Sequence, residues 1–163
     1  SQADATLIAL AEVLRYSLNS REHATVRLSQ EIEIIDRYLA IAGAQLEERL
    51  AFASDVPAAL LGQMIPPMML QMLIENAIKH GLEPLPGGGR ISLTAQKQGG
   101  RLLIRVSNDC PPQSAAATGG MGIGLGNIEQ RLRLLYGANA SLTKTHSGNH
   151  FKVCLSLPSE ASP

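Results

Sequence analysis

Residues 66–81, Pro66-Pro67-Met-Met-Leu-Gln-Met-Leu-Ile-Glu75-Asn76-Ala-Ile-Lys79-His80-Gly81, decide how this chain is read. Proline is tolerated in a first helical turn and glycine is a natural stop just past the last one. A helix is therefore expected from Pro66-Pro67 to Lys79 or His80. It is almost wholly apolar until its last two turns. There Glu75, Asn76, Lys79 and His80 stand at i, i+1, i+4 and i+5, which gathers them within an arc of about 140°. Burying such groups without partners costs on the order of several kcal/mol, so they must face water, one another or a ligand. The oxygens of Glu75 and Asn76 suit Mg2+, whose other ligands are usually waters and substrate phosphates. Lys79 and His80 suit phosphate oxygens. The bland alternative is a solvated face with a Glu75–Lys79 pair, and the helix by itself does not choose.

Upstream, Leu7, Leu10, Ala11, Leu14 and Leu18 recur at three- and four-residue steps, predicting a first helix that Asn19, Ser20 and Arg21 break. Ser29 is placed to cap a second, with Glu31 and Glu33 in its first turn and a stripe of Ile32, Ile35, Leu39, Ala42 and Leu46. Helices of this kind need an apolar partner, in the rest of the chain or in a second copy. Residues 49–54 alternate like a strand. Downstream, a Pro/Gly loop at 84–89 leads to strands at 90–97 and 101–107, which Gly99-Gly100 joins as a hairpin. Residues 108–122 have loop composition. A helix over 123–136 is stopped by Gly137, and strands at 140–145 and 151–157 flank a Ser147-Gly148-Asn149 turn.

The second chemical feature is Gly119-Gly-Met-Gly-Ile-Gly-Leu-Gly-Asn127, directly before the helix at 123–136. Glycines let backbone amides approach an anion, and a helix N-terminus adds partial positive charge. Phosphate binding follows, with a flexible linker as the alternative. No Gly-Lys-Ser/Thr is present, which excludes a Walker A loop. A long loop rather than a tight turn precedes the glycines, which leaves a Rossmann fingerprint unsupported.

Bulk properties narrow the class. With 163 residues, 45% hydrophobic and 17% charged, the chain can bury one sizeable core. Fourteen basic residues balance fourteen acidic ones, a poor match for unspecific nucleic-acid binding. Cys110 and Cys154 are too few for a disulfide framework and suit a reducing compartment. No apolar run approaches a membrane span. His146, His150 and Cys154 fall short of any metal-ligand spacing.

Taken together, Leu-Gln-Met-Leu-Ile-Glu75-Asn76-Ala-Ile-Lys79-His80-Gly81 and Gly120-Met-Gly122-Ile-Gly124-Leu125-Gly-Asn127-Ile-Glu-Gln-Arg131-Leu resemble the N box and G2 box of the GHKL ATPases. More narrowly, the chain resembles the LytS-type sensor histidine kinases. That subfamily also carries Leu-Arg15-Tyr16-Ser, Leu-Ser-Gln-Glu-Ile-Glu…Tyr38-Leu-Ala-Ile and Ile-Pro66-Pro67-Met, in this order.

The resemblance implies an α/β fold of the Bergerat type, a two-layer sandwich whose mixed sheet is covered on one face by helices. An N-terminal helical segment over residues 1–46, a remnant of the dimerisation and phosphoacceptor region, would precede an ATP-binding catalytic domain over 47–160. ATP and Mg2+ are the implied cofactors. Asn76 would ligate Mg2+, Lys79 and His80 would contact phosphates, and Glu75 would orient water or the metal. The loop from about Asp109 to Gly122 would be an ATP lid, with Gly120, Gly122, Gly124 and Leu125 as its phosphate-side anchor. Asn127 and Arg131 fall in the motif without an assigned role. The implied activity is that of a protein-histidine kinase in a two-component system, passing the ATP γ-phosphate to a histidine and thence to a response regulator. The subfamily often partners regulators with LytTR DNA-binding domains. The implied setting is a homodimer through the N-terminal helices, at the cytoplasmic side of a bacterial inner membrane, attached only through segments outside this chain.

Two departures stand against that pattern. The family's G1 box usually reads Asp-x-Gly-x-Gly, its Asp accepting a bond from the adenine amino group; here Val106-Ser-Asn108-Asp109-Cys110-Pro-Pro lacks the glycines. An Asn108 carbonyl can accept the same bond without the charge that strengthens it, so Asn108→Asp is expected to keep or tighten binding. Asp109 would substitute after a one-residue shift. The phosphoacceptor motif, Asn-Pro-His-Phe-Leu-Phe-Asn-like, is also missing, and His23 reads as a solvated loop residue. The acceptor is thus expected upstream of the chain. A docking module that no longer binds ATP is the alternative function.

Overall fold

The computed structural model describes residues 2–20, 24–45, 49–112 and 120–160. Helix α1 (Gln2–Ser20) packs on α2 (Leu28–Gln45), which follows the short strand β1 (Val26–Arg27). Strand β2 (Leu50–Asp55) precedes β3 (Met64–Ile65), which pairs antiparallel with β1. Helix α3 (Met69–Asn76) runs on into a π-helical turn, Ala77–Leu82. Strands β4 (Gly89–Gln98) and β5 (Arg101–Asp109) form the hairpin, α4 spans Gly120–Tyr136, and β6 (Ser141–Ser147) and β7 (His150–Pro158) close the chain.

The main sheet has the order β2-β4-β5-β7-β6, with β2 parallel to β4 and every other pair antiparallel. Period-two alternation makes it one-sided. Ile91, Leu93 and Ala95 of β4, Leu102, Ile104 and Val106 of β5, and Phe151, Val153, Leu155 and Leu157 of β7 are all buried. Their partners in register form continuous apolar rows: Leu93 with Val106 and Val153, Ala95 with Ile104 and Leu155. Helices α2, α3 and α4 cover that face through Ile35, Leu70, Leu73, Ile74, Ile128 and Leu132. The opposite face carries Ser92, Thr94, Arg105 and Ser107, all partly exposed. This is the mixed sheet with one helical layer that the resemblance implies.

Four details go beyond or differ from the expectations. The leucine stripe of α1 faces outward: Leu7, Leu14 and Leu18 are 55–66% exposed, while Ala9 and Val13 are buried against α2. Small side chains bring α1 close to α2, where Arg37 also pairs with Glu12. The helix expected from Pro66 begins at Met69, because Met68 takes a left-handed conformation at φ 69°. Helix α4 begins at Gly120 rather than Ile123. A first turn needs no internal N–H partners, so glycine's poor propensity is least costly there. Ser29 does not start α2 either; Gln30 Oε1 accepts the Arg27 amide at 3.0 Å, half of a capping box. Leu46 and His23 lie outside the described residues.

Candidate nucleotide-binding site

The polar end of α3 is reshaped by the π turn, in which the Glu83 amide reaches back to the Ile78 carbonyl at 2.9 Å. Such wide turns are rare and concentrate at functional sites. The extra residue separates the four polar side chains. Asn76 turns inward and is 7% exposed, whereas Glu75 and Lys79 are exposed and His80 is intermediate. Among the described residues no Glu75–Lys79 ion pair forms; Gln71 Nε2 approaches the Glu75 carboxylate instead, at 3.5 Å. Tyr38 of α2 stands nearby. Burial first, then the charges of Glu75 and Glu83, push its phenol up to about 12, so it remains a neutral donor.

Asn76 Oδ1 is fully buried and has no hydrogen-bond partner among the described residues. A carboxamide oxygen left this way forfeits about 1–3 kcal/mol, and such an atom in a folded protein calls for an explanation. A hard cation supplies one. Mg2+ takes oxygen ligands and keeps waters and phosphates as the rest, so this donor fits the ion.

The end of β5 approaches from the sheet side. Asn108 continues the inner row of Leu102, Ile104 and Val106, lies between Ile91 and Phe151 in register, and is 4% exposed. Its side chain therefore points at the helical layer, and Asp109, one residue on, points away. Contact with the π turn is close. A Cβ at Gly81 would lie 2.2 Å from Asn108 Nδ2 and 2.9 Å from the Asp109 carbonyl oxygen, so only glycine fits there. Asn108 Nδ2 donates to that same carbonyl at 2.9 Å, leaving the carboxamide oxygen as the accepting end. The Asp109 carboxylate is occupied elsewhere, accepting the Arg90 amide at 2.8 Å and standing 3.1 Å from His150 Nδ1. Cys110 is buried, with Sγ 3.3 Å from His146 Nε2; burial and then the Asp109 charge raise its thiol, which stays protonated. Among the described residues no cluster of His, Cys, Asp and Glu could hold a metal by itself.

The third wall is α4, which packs on α3 and on the π turn. Leu125, Ile128 and Leu132 anchor it in the core at 0–2% exposure. Gly120 and Gly122 lie in its first turn, where amides lack internal partners, and Gly124 begins the next turn. Residues 113–119 of the anticipated lid lie outside the described residues. Asn127 is exposed and Arg131 half-buried.

Sequence reasoning missed Glu31. It was expected to serve its own helix, yet it is 1% exposed and accepts amides from the start of α3. The only trace of this in the sequence is an acid beside an apolar stripe.

A family model described as histidine kinase matches residues 1–50. The chain is 35% identical over 154 residues to the sensor histidine kinase YesM of Bacillus subtilis, covering 91% of this chain and 26% of that protein. It is 28% identical over 163 residues to the sensor protein LytS of Staphylococcus saprophyticus, covering 93% and 28%. The chain belongs with the sensor histidine kinases. It spans about a quarter of the length of the curated relatives it matches. Solved kinases share the fold: the catalytic domain of ThkA superimposes with a TM-score of 0.62 at 16% identity, covering 83% of this chain and 95% of that one. Full-length ShkA in complex with AMPPNP gives 0.62 at 16%, covering 98% and 37%. ThkA in complex with the response regulator TrrA gives 0.59 at 14%, covering 93% and 48%. These likenesses account for the mixed sheet, and the kinship accounts for the order of the motifs around it.

Proposed function

We propose that this chain is the ATP-binding phosphotransfer domain of a two-component sensor histidine kinase, acting on a histidine upstream of it. The buried, unpartnered Asn76 Oδ1 beside the π turn carries this reading. Asn76 would hold Mg2+, and the ion when bound neutralises phosphate charge. The chain's own groups do the rest. Asn108 Oδ1 would accept the adenine amino group, in the place the Asp109 carboxylate is not free to take. Lys79 and His80 would meet phosphate oxygens. The amides of Gly120 and Gly122 would cradle them, with Gly124 allowing close approach and Leu125 fixing that end in the core. Glu75, exposed beside Asn76, would orient the attacking group. Catalysis would then be mainly positioning and charge complementarity.

Partners follow from the relatives: a response regulator, as ThkA binds TrrA, and of the LytTR type by the subfamily's habit. The outward leucines of α1 suit the same face of a second copy, giving a homodimer. No helix among the described residues is long and apolar enough to cross a membrane. The placement proposed is the cytoplasmic side of an inner membrane, reached through other segments.

The altered G1 sequence favours one rival, a docking module that binds no nucleotide. Titration with a fluorescent ATP analogue, with and without Mg2+, separates the two. Saturable binding that tightens with Mg2+, and weakens about a hundredfold or more in Asn76→Ala as befits a lost metal ligand, is expected. Absence of saturable binding by the unaltered chain would establish the docking module.

A further inference from the structure

Glu31 is the one buried acid among the described residues, and its partners come from elements far apart in sequence. Its Oε2 accepts the Met68 amide at 3.0 Å and the Tyr16 hydroxyl of α1, and its Oε1 accepts the Leu70 amide at 3.2 Å. From α4, the Arg131 guanidinium is near enough for the two charges to attract. A helix start is normally served by a Ser, Thr, Asp or Asn at the cap, but α3 has Met68 there and no side-chain cap of its own. The cap comes instead from 37 residues upstream.

The position of this group gives it leverage. Helix α3 leads from residues 68–70 directly to Asn76, and α4 leads back from Arg131 to the glycine turns. The α3 wall of the proposed cleft is therefore hydrogen-bonded to this carboxylate, the α4 wall packs on α3, and a helix of two turns transmits a shift at one end to the other. Tyr16 adds a third element. Its phenol reaches the carboxylate only while α1 lies where it does, packed on α2 with Ala9 and Val13 buried and Glu12 paired with Arg37.

We infer that Glu31 is a positioning residue, setting the Asn76 end of α3 against the glycine end of α4, and that Tyr16 makes this setting depend on the position of α1. The inference deepens the nucleotide-site reading and rests on it. A displacement of α1 withdraws one donor from a buried carboxylate. The α3 start must then move or share its amides differently, and the metal-facing oxygen of Asn76 moves with it.

The test uses this chain with Tyr16→Phe and Glu31→Gln, both close in shape to the originals, and Leu102→Val as a control that loosens the core at the end of β5 opposite Asn108. Two quantities are read: the ratio of fluorescent ATP analogue affinities with and without Mg2+, and amide hydrogen exchange at Met68 and Leu70. Tyr16→Phe and Glu31→Gln should each cut the Mg2+-dependent ratio about fivefold, the lower range of allosteric couplings, and speed both amides. Leu102→Val should lower the melting temperature and leave the ratio alone. A ratio unchanged in the hub variants, or moved equally by the control, overturns the inference. Should the unaltered chain bind no nucleotide, the site reading fails by itself. Exchange then decides the hub: faster amides in Tyr16→Phe uphold it and unchanged ones overturn it.

Discussion

The two ends of α3 bury polar groups in opposite ways. At its start, the Glu31 carboxylate is shut from solvent with two amides and a phenol donating to it. At its finish, Asn76 Oδ1 is equally shut in and receives nothing. The first arrangement is complete without a ligand and holds three helices in register. The second is complete only when something from outside supplies a positive charge or a donor. Burial by itself distinguishes neither; the count of partners does.

The contrast can be broken by substitution. Glu31→Leu should lower unfolding stability by about 3 kcal/mol, because it strands buried amides and a hydroxyl; a urea melt shifted by less than about a sixth of that would mean the cap is dispensable. Gly81→Ala should cost about 2 kcal/mol by overpacking against Asn108 and the Asp109 carbonyl, and should weaken nucleotide binding with it. Asn108→Asp should cost about 1 kcal/mol and fail to tighten binding, against the expectation from the sequence. The group facing the Asp109 carbonyl at 2.9 Å must be a donor, and aspartate puts an oxygen there. Tighter binding in a titration of that variant would show that the loop rearranges. Asn76→Leu should leave stability unchanged or raise it by up to about 1 kcal/mol while abolishing Mg2+-dependent binding, since it removes an unpaired oxygen without emptying the space. A large loss of stability there would place Asn76 among structural groups like Glu31.

The smallest effect is one of pH. Burial raises the Glu31 carboxyl above its ordinary value, outweighing the bonds from Tyr16, Met68 and Leu70 and the charge of Arg131 that pull it down. A group whose folded value is raised contributes stability below its unfolded value and loses that contribution as pH climbs through the folded one. Relative to Glu31→Gln, the unaltered chain should therefore lose stability as pH rises from the ordinary glutamate value upward. A difference that stays flat in melts across that range would show that the bonds balance burial.

Much of this was legible in the residues. The alternation of β4, β5 and β7 and the Gly99-Gly100 turn, with φ of +57° and +77°, are local signals that survive in the fold. The apolar run ending in Glu75 and Asn76 points to the proposed site for the same reason. What could not be read depends on distant partners. The start of α3 is displaced to Met69 by a cap from α2, and the π turn is held by packing that no window of sequence contains. That α1 meets α2 through Ala9 and Val13, leaving its leucine stripe open, could not be read either, because closeness of approach favours the small side chains. That Asn108 rather than Asp109 faces the helices follows from strand register, which one residue of uncertainty reverses.

The contact between Gly81 and Asn108 has a bearing on redesign. Two segments that sequence motifs treat as independent occupy one volume, so neither position is free to change alone. On the proposed reading, in which residue 108 faces the base, enlarging it to favour a different base has no room to draw on from residue 81, which has already given up its side chain entirely. Any altered base preference must therefore come from shortening residue 108 or from moving the π turn as a whole.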